Sequence, residues 1–162
     1  MHKKSNTELL DKIAILLTQS GRTVTVAESC TGGTLSGLLT SVSGSSVFFP
    51  GGIVVYSNEV KIREVGVERE LIDESGAVCE EVAVQLAEGI REKLGSDFGI
   101  GITGIAGPGG GTEEKPVGLV YAAVAQADHT VCSELRLNGD REEIRKQTCL
   151  EALQMLRRLL ES

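Results

Sequence analysis

A lysine that follows a pair of serines is the first feature of this sequence that could do chemistry. Residues 44–61, GSSVFFPGGIVVYSNEVK, contain adjacent serines ending at Ser46, then Tyr56 and Lys61. Asn58 is a suitable helix N-cap, which predicts that Lys61 lies in the first turn of a helix. The positive end of the helix dipole favours the neutral amine there, the form that a general base needs. The stretch therefore indicates Ser–Lys chemistry, and its alternative is a solvated lysine beside capping serines.

A second group of small polar residues lies between a predicted strand, 22–27, and a predicted helix. Its sequence, ESCTGG, contains Ser29, Cys30, Gly32 and Gly33. At a turn between a strand and a helix, backbone N–H groups can bind an anion or a carbonyl, and glycines allow a close approach. A tight turn that merely requires small residues is the alternative. Nothing in the sequence marks Cys30 as an activated thiolate.

The longest predicted loop is GIAGPGGGTEEKP, residues 104–116. Its glycines and prolines exclude regular structure, and a loop of this length inside a compact domain is usually functional or disordered. It lacks the Gly-Lys-Ser/Thr ending of a P-loop, so ATP hydrolysis is not indicated. Its N–H groups remain candidate donors to a phosphate or an oxyanion.

A second cation is predicted at the start of a helix, where positive charge is disfavoured, and it is the first residue of the last helix. Asp140 is the expected N-cap and Glu143 would complete a capping box, which makes Arg141 the first helical residue. A cation is disfavoured at a helix start, so Arg141 and Lys61 together suggest that an anion is bound. The alternative is an arginine that reaches back to a nearby carboxylate.

Composition limits the class of protein. A chain of 162 residues is expected to form one domain, 1–162. Because aromatic residues make up only 3%, the core must consist of Val, Ile, Leu and Ala, which is typical of a sheet covered by helices. A net charge of −7 argues against general nucleic-acid binding. The four cysteines lack zinc or CxxC spacing, and there is no signal peptide or long apolar run. We therefore expect a reduced cytoplasmic protein without disulfides, structural metal or membrane span.

Hydrophobic spacing predicts the elements that must position these residues. Gly99 and Gly101 lie on one face of a predicted strand, which suggests close packing of a helix or a ligand. The last two predicted strands are joined by a short turn, which favours an antiparallel hairpin. Helices are predicted over 5–20, from 34 to about 42, over 58–66, 68–75 and 80–94 and from 141 onward, and strands over 22–27, 53–56, 96–103, 117–126 and 129–138.

Five motifs, in this order and spacing, resemble the CinA C-terminal-domain family. They are AESCTGG (27–33), GSSVFF (44–49), YSNEVK (56–61), TGIAGPGGGTEEKPVG (103–118) and GDREEIR (139–145). The resemblance runs from about residue 5 to residue 160. It implies an α/β fold with three layers, α/β/α, and a mixed, mostly parallel five-stranded sheet. Family members often carry an N-terminal nucleotide-hydrolase domain, so the resemblance suggests the stand-alone form.

The resemblance also implies a reaction. PncC-type members are nicotinamide-nucleotide amidohydrolases, which convert nicotinamide mononucleotide and water to nicotinic acid mononucleotide and ammonia without a metal or organic cofactor. Family members are commonly dimers, so a homodimer is expected, with no nucleic-acid or membrane partner. The alternative class is a catalytically silent nucleotide-binding or regulatory module, and a structural role on DNA is disfavoured because no basic face is evident.

The site residues that the resemblance implies fall on matching positions. For the nucleophile we prefer Ser46, with Ser29 as the competing assignment, and Lys61 is the expected base. The catalytic set is completed by Tyr56, which relays or orients the proton, and by Thr103, which stabilises the oxyanion. The expected substrate-binding residues are Arg141, for the 5′-phosphate, and the glycines Gly32, Gly33, Gly104, Gly107, Gly109 and Gly110.

Overall fold

A computed structural model describes residues 2–162, with side chains from residue 6 onward. Helices and strands alternate as far as the third helix, after which two further helices, three successive strands and a last helix follow; a 3-10 turn, Ser45–Val47, precedes the second strand. The helices are α1 His2–Ser20, α2 Thr34–Thr40, α3 Asn58–Val65, α4 Arg69–Ser75, α5 Glu80–Leu94 and α6 Arg141–Glu161. The strands are β1 Val24–Glu28, β2 Gly51–Val54, β3 Phe98–Gly104, β4 Leu119–Ala125 and β5 Thr130–Arg136.

The five strands form one mixed sheet in the order β2-β1-β3-β4-β5. The predicted α/β class and five-stranded mixed sheet are confirmed. The expectation that the sheet is mostly parallel is wrong, because β1 pairs parallel with β2 and β3, whereas β3–β4 and β4–β5 are antiparallel. A parallel neighbour requires a crossover, usually a helix, but the glycine-rich loop returns the chain directly from β3 to β4. The predicted hairpin of β4 and β5 is confirmed.

Helices cover both faces of the sheet. On one face, α1, α2 and α6 pack over a core that includes Val26, Ile100 and Val124. On the other face, α5 lies across β1, β3 and β4, and α3 and α4 pack against α5. Successive strand residues point to opposite faces, so a strand covered on both sides is mostly apolar. The carboxyl ends of β1, β2 and β3 are therefore held side by side on a rigid support.

Close packing of α5 on β3 depends on glycine. A Cβ atom at Gly99 would lie 2.1 Å from the carbonyl oxygen of Ala87, and one at Gly101 would lie 2.4 Å from that of Ala83. The close approach predicted for these glycines is therefore made by a helix rather than by a ligand.

Replacing Gly101 with alanine is expected to destabilise the protein by about 1–3 kcal/mol, the usual cost of overpacking. Thermal unfolding measures the effect. Gly37→Ala is the matched control, because no atom lies within 4 Å of the position that its Cβ would occupy. Within a helix, alanine is favoured over glycine by about 1 kcal/mol, so this control should not lower the melting temperature. Equal losses in both variants would contradict the packing role of Gly101.

Two boundaries near Lys61 differ from prediction. Ser57, not Asn58, caps α3, since the Ser57 hydroxyl accepts a hydrogen bond from Val60 N at 3.2 Å. Lys61 is thus the fourth residue of α3, and its N–H donates to Ser57 O. Strand β2 ends at Val54, earlier than predicted, so the chain has already left the sheet when it reaches Tyr56.

Candidate active site

A cavity of about 270 Å³ opens where β1, β2 and β3 reach their carboxyl ends. Parallel strands present their carboxyl ends at one edge of a sheet, which is where ligands bind in open α/β folds. The cavity is lined by the predicted residues Ser29, Tyr56, Lys61, Thr103 and Arg141, by the loop glycines Gly104, Gly107, Gly109 and Gly110, and also by Asn58.

Lys61 is a buried amine at the base of this cavity. The residue is only 2% exposed, and its Nζ donates a hydrogen bond to Tyr56 O at 2.9 Å. Burial lowers the pKa of Lys61 from its ordinary value, because removing water disfavours the ammonium form, while the nearby Cys30 acts in the opposite direction. Loss of hydration, and not the helix dipole on which the sequence argument relied, is therefore the main influence on this pKa.

Ser29 is the first residue after β1 and is 8% exposed. Its N–H donates to Ile102 O at 3.1 Å, and its carbonyl accepts Gly32 N at 3.1 Å, so main-chain bonds hold it on both sides. The hydroxyl belongs to a residue that lines the same cavity as Lys61. The cavity therefore contains a serine and a buried amine, the two groups that Ser–Lys chemistry requires.

Ser46, the preferred nucleophile, does not fit this geometry. It is exposed on the 3-10 turn before β2 and is absent from the cavity lining. Phe48 O accepts a hydrogen bond from Val24 N at 2.8 Å, which fixes this turn beside the amino end of β1. The cavity lies at the carboxyl ends of the strands, so Ser46 and Lys61 are at opposite edges of the sheet.

Thr103, predicted to stabilise an oxyanion, lines the cavity, but its hydroxyl already donates a hydrogen bond within the protein. It is 1% exposed, and its hydroxyl donates to Ala77 O at 2.7 Å. A threonine hydroxyl has a single proton to donate, so this proton is committed to the protein. The bond instead holds the segment after α4, whose Ala77 and Val78 line the cavity without having given any signal in the sequence.

The N–H groups of the two glycines in the turn after β1 already donate hydrogen bonds within the protein. Gly33 N donates to Glu28 Oε2 at 3.1 Å, and Gly32 N donates to Ser29 O. Neither glycine lines the cavity. Gly32 and Gly33 remain predicted substrate contacts, although in this geometry the chain itself supplies acceptors for their N–H groups.

Arg141 spans the mouth of the cavity. The predicted capping box of Asp140 and Glu143 is present and makes Arg141 the first residue of α6. Its guanidinium donates to Gly107 O at 2.7 Å and to the Tyr56 hydroxyl at 3.1 Å. No carboxylate among the described residues forms an ion pair with Arg141. The alternative that it serves a nearby carboxylate is thus disfavoured, and its charge remains available to an anion.

Near its carboxyl end, the glycine-rich loop is hydrogen-bonded to the end of α4. Lys115 Nζ donates to Ser75 O, at the end of α4. At the base of the loop, Ile105 N donates to Leu119 O and Gly118 N donates to Ile105 O. Within the described chain, no backbone acceptor takes a hydrogen bond from Gly109 N or Gly110 N. These amides are therefore candidate donors to a ligand in the cavity.

The cysteines of the described chain are free thiols, and their pKa values are raised by burial. For Cys30, beside Ser29, the pKa rises to about 11, so the thiol form prevails at neutral pH and Cys30 is a poor nucleophile. The described side chains contain no group of three or more His, Cys, Asp or Glu that could hold a metal ion. None of the helices in residues 2–162 combines the length and apolar character that crossing a membrane requires.

Comparison with solved structures relates the whole fold to known proteins. Competence/damage inducible protein CihA from Agrobacterium tumefaciens is 40% identical, with a TM-score of 0.93 over 97% of this chain and 96% of that chain. Competence damage-inducible protein A (ComA) from Klebsiella pneumoniae subsp. pneumoniae is 31% identical, with a TM-score of 0.93 over 96% of this chain and 97% of that one.

Sequence relatives agree with the structural ones. A CinA-like protein of Acidobacterium capsulatum is 53% identical over 157 residues, and one of Dictyoglomus thermophilum is 48% identical over 158 residues. These alignments cover 96% and 98% of this chain but only 38% of each relative, so the chain matches less than half of their length. The model of the CinA C-terminal domain matches residues 6–160. The chain therefore belongs to the CinA C-terminal domain family.

Proposed function

We propose that this protein is an amidohydrolase that converts nicotinamide mononucleotide to nicotinic acid mononucleotide and ammonia. The observation that carries the proposal is that Ser29 lines the same cavity as Lys61, a buried lysine whose pKa is lowered. An unprotonated amine beside a hydroxyl is a recognised way to activate a serine nucleophile. The substrate is the one implied by the resemblance to PncC-type members.

In the first step, neutral Lys61 accepts the proton of Ser29 as the serine oxygen adds to the carboxamide carbon. The Lys61 Nζ–Tyr56 O hydrogen bond restricts the amine, which leaves its lone pair free to take up a proton. Tyr56 OH accepts from Arg141, so its own proton can be donated to the reacting group. Tyr56 would thus orient the carboxamide, whereas the resemblance implied that it relays or orients the serine proton.

In the second step, the tetrahedral intermediate expels ammonia. Lysine ammonium returns the proton to the leaving nitrogen, the C–N bond breaks, and an ester forms on Ser29. Water then adds to the ester with Lys61 again acting as the base, releasing the carboxylate and restoring the serine. Because the Thr103 proton is committed to Ala77 O, we assign oxyanion stabilisation to backbone amides of the loop that begins at Gly104.

The 5′-phosphate is assigned to the mouth of the cavity. Arg141 carries a charge with no carboxylate partner among the described side chains, and Gly109 and Gly110 provide nearby amides. A guanidinium can form paired charge-assisted hydrogen bonds to a phosphate, which explains how a protein of net charge −7 could bind an anion locally. The direct test of the function is ammonia release from the mononucleotide by the purified wild-type chain; its absence would remove the proposal.

Replacing Arg141 with alanine is expected to raise KM for nicotinamide mononucleotide by about 10- to 100-fold, the equivalent of one or two charge-assisted hydrogen bonds. Nicotinamide riboside, which lacks the phosphate, should be affected much less. Steady-state kinetics with both substrates measures the difference. If both lose equally, Arg141 acts by holding Tyr56 and Gly107 and not by binding the phosphate.

A further inference from the structure

Glu28 is a buried carboxylate that the proposed chemistry does not use. It is the last residue of β1, is 0% exposed, and does not line the cavity. Its Oε1 accepts Ser36 N and Ser36 Oγ, both at 2.8 Å. Its Oε2 accepts Gly33 N at 3.1 Å and Leu35 N at 3.0 Å. The carboxylate thus holds the amino end of α2, where the helix dipole also favours a negative charge.

Arg145 holds the same turn from its other side. Its Nε donates to Cys30 O at 3.1 Å, and its second terminal nitrogen donates to Thr31 O at 2.8 Å and to Thr34 Oγ1 at 3.1 Å. The carboxylate of Glu28 therefore accepts hydrogen bonds from N–H groups of the turn, while the guanidinium of Arg145 donates to carbonyl groups of the same turn. Such charge-assisted bonds are roughly twice as strong as neutral ones.

The turn held by these two side chains begins with Ser29. The backbone of Glu28 accepts Val55 N at 2.8 Å, immediately before Tyr56, and Ser29 N reaches Ile102 O, immediately before Thr103. The segment that carries the serine is therefore fixed to both neighbouring strands, and its helical end is fixed by the two charged side chains. A nucleophile must be held within a fraction of an ångström to react efficiently.

We propose that Glu28 and Arg145 are positioning residues that hold the turn from Ser29 to Ser36 so that the Ser29 hydroxyl faces Lys61. We call these contacts of Glu28 and Arg145 with the turn the clamp. Its role in turnover rests on the proposed function, whereas the clamp itself does not. The same contacts mean that the amino end of α2, which resembles an anion site in sequence, is occupied by the protein's own carboxylate. The substrate phosphate must then bind elsewhere, consistent with its assignment to Arg141.

The first arm of the test is kinetic. Glu28→Gln keeps the side-chain size but turns an amide –NH₂ toward backbone donors, and Arg145→Met keeps the apolar stem but removes every donor. Each is expected to lower kcat by about 10- to 100-fold through misplacement of the serine. KM should stay within about twofold of wild type, since Arg141 and the loop remain. Arg145→Lys, which keeps the charge and a single donor nitrogen, should recover part of the loss.

Matched controls separate this effect from general destabilisation. Arg91→Met also removes a guanidinium that donates to a main-chain carbonyl, that of Asp97 at 3.1 Å, but it does so away from the cavity. It should leave kcat unchanged. The pH at which kcat/KM rises should be the same in Arg145→Met as in wild type, because Lys61 remains buried. A kcat loss that merely follows the melting temperature of every variant, control included, would overturn the positioning role.

The second arm needs no activity. Amide hydrogen exchange measured by mass spectrometry should show faster exchange over residues 29–36 in Glu28→Gln and Arg145→Met than in wild type, with exchange in β3 unchanged. Wild-type exchange in that segment would overturn the clamp. If wild type releases no ammonia but the exchange result holds, the proposed reaction fails while the clamp stands.

Discussion

Replacing Lys61 with methionine is expected to lower kcat for nicotinamide mononucleotide by about 10³-fold, within the range that a positioned general base contributes. Methionine has a similar length and suits a site that is 2% exposed, so the fold should be retained. The amine contacts Tyr56 O and not the proposed phosphate site at Arg141, so ligand affinity should change little. Stopped-time ammonia assays give kcat, and calorimetric titration with the product nicotinic acid mononucleotide gives the affinity.

The pH dependence supplies a second measurement on the same residue. Burial lowers the pKa of Lys61 below that of a free lysine, so the reactive neutral amine becomes populated at a lower pH than in solution. For wild type, kcat/KM should rise as pH increases through this lowered pKa and then level off. Lys61→Met should lose this rising limb together with the activity that it reports.

Titration of Lys61 also makes the free energy of unfolding depend on pH, and the direction of that dependence can be stated. Between the folded-state pKa of Lys61 and the higher unfolded-state pKa, the unfolded chain binds more protons, so the free energy of unfolding rises with pH across that window. In Lys61→Met this contribution is absent, and unfolding measured across the same window should have a smaller positive slope.

Lys93→Met is the control for removal of a lysine. Lys93 is exposed on α5 and pairs with Glu64 at 3.5 Å, outside the cavity. Surface pairs of this kind contribute little, so activity and its pH profile should match wild type. Near-normal turnover in Lys61→Met, or an unchanged rising limb, would remove lysine as the base.

Much of the fold was predictable because its signals are local. The periodic apolar face of α5 and the capping box before α6 depend on residues within a few positions of one another, and both were predicted correctly. Parallel or antiparallel pairing is not local in this sense. Nothing between Gly104 and Gly118 specified that the loop would return the chain to an adjacent antiparallel strand.

The candidate site likewise contains residues that the sequence could predict and residues that it could not. Motif spacing placed Tyr56, Lys61 and Arg141 in one group, and all three line one cavity. Motif spacing could not show whether Ser29 or Ser46 lies beside Lys61. That depends on which serine is at the carboxyl ends of the strands, and the direction of the strands in the sheet is not given by spacing. Glu28 and Arg145 lie within two of the motifs, but the sequence assigned them no role, because most of their partners are backbone atoms, which every residue possesses.

Replacing Ser29 with alanine should abolish ammonia release, with a loss of about 10⁴-fold or more, as expected when the nucleophile of a serine enzyme is removed. Its position in the cavity with Lys61 is the physical reason, because only there can an unprotonated amine accept the hydroxyl proton. Affinity for nicotinic acid mononucleotide should persist, since the loop and Arg141 are untouched.

Ser46→Ala is the matched control, because Ser46 is exposed at the amino edge of the sheet. It should keep wild-type kinetics. Rapid quenching of the wild-type reaction, digestion and mass spectrometry should then locate the acyl group on the peptide that contains Ser29. An adduct on Ser46, or on Cys30 despite its raised pKa, would assign the chemistry to another atom. Full activity in Ser29→Ala would lead to the same conclusion, because a nucleophile that forms the bond to carbon cannot be replaced by a methyl group.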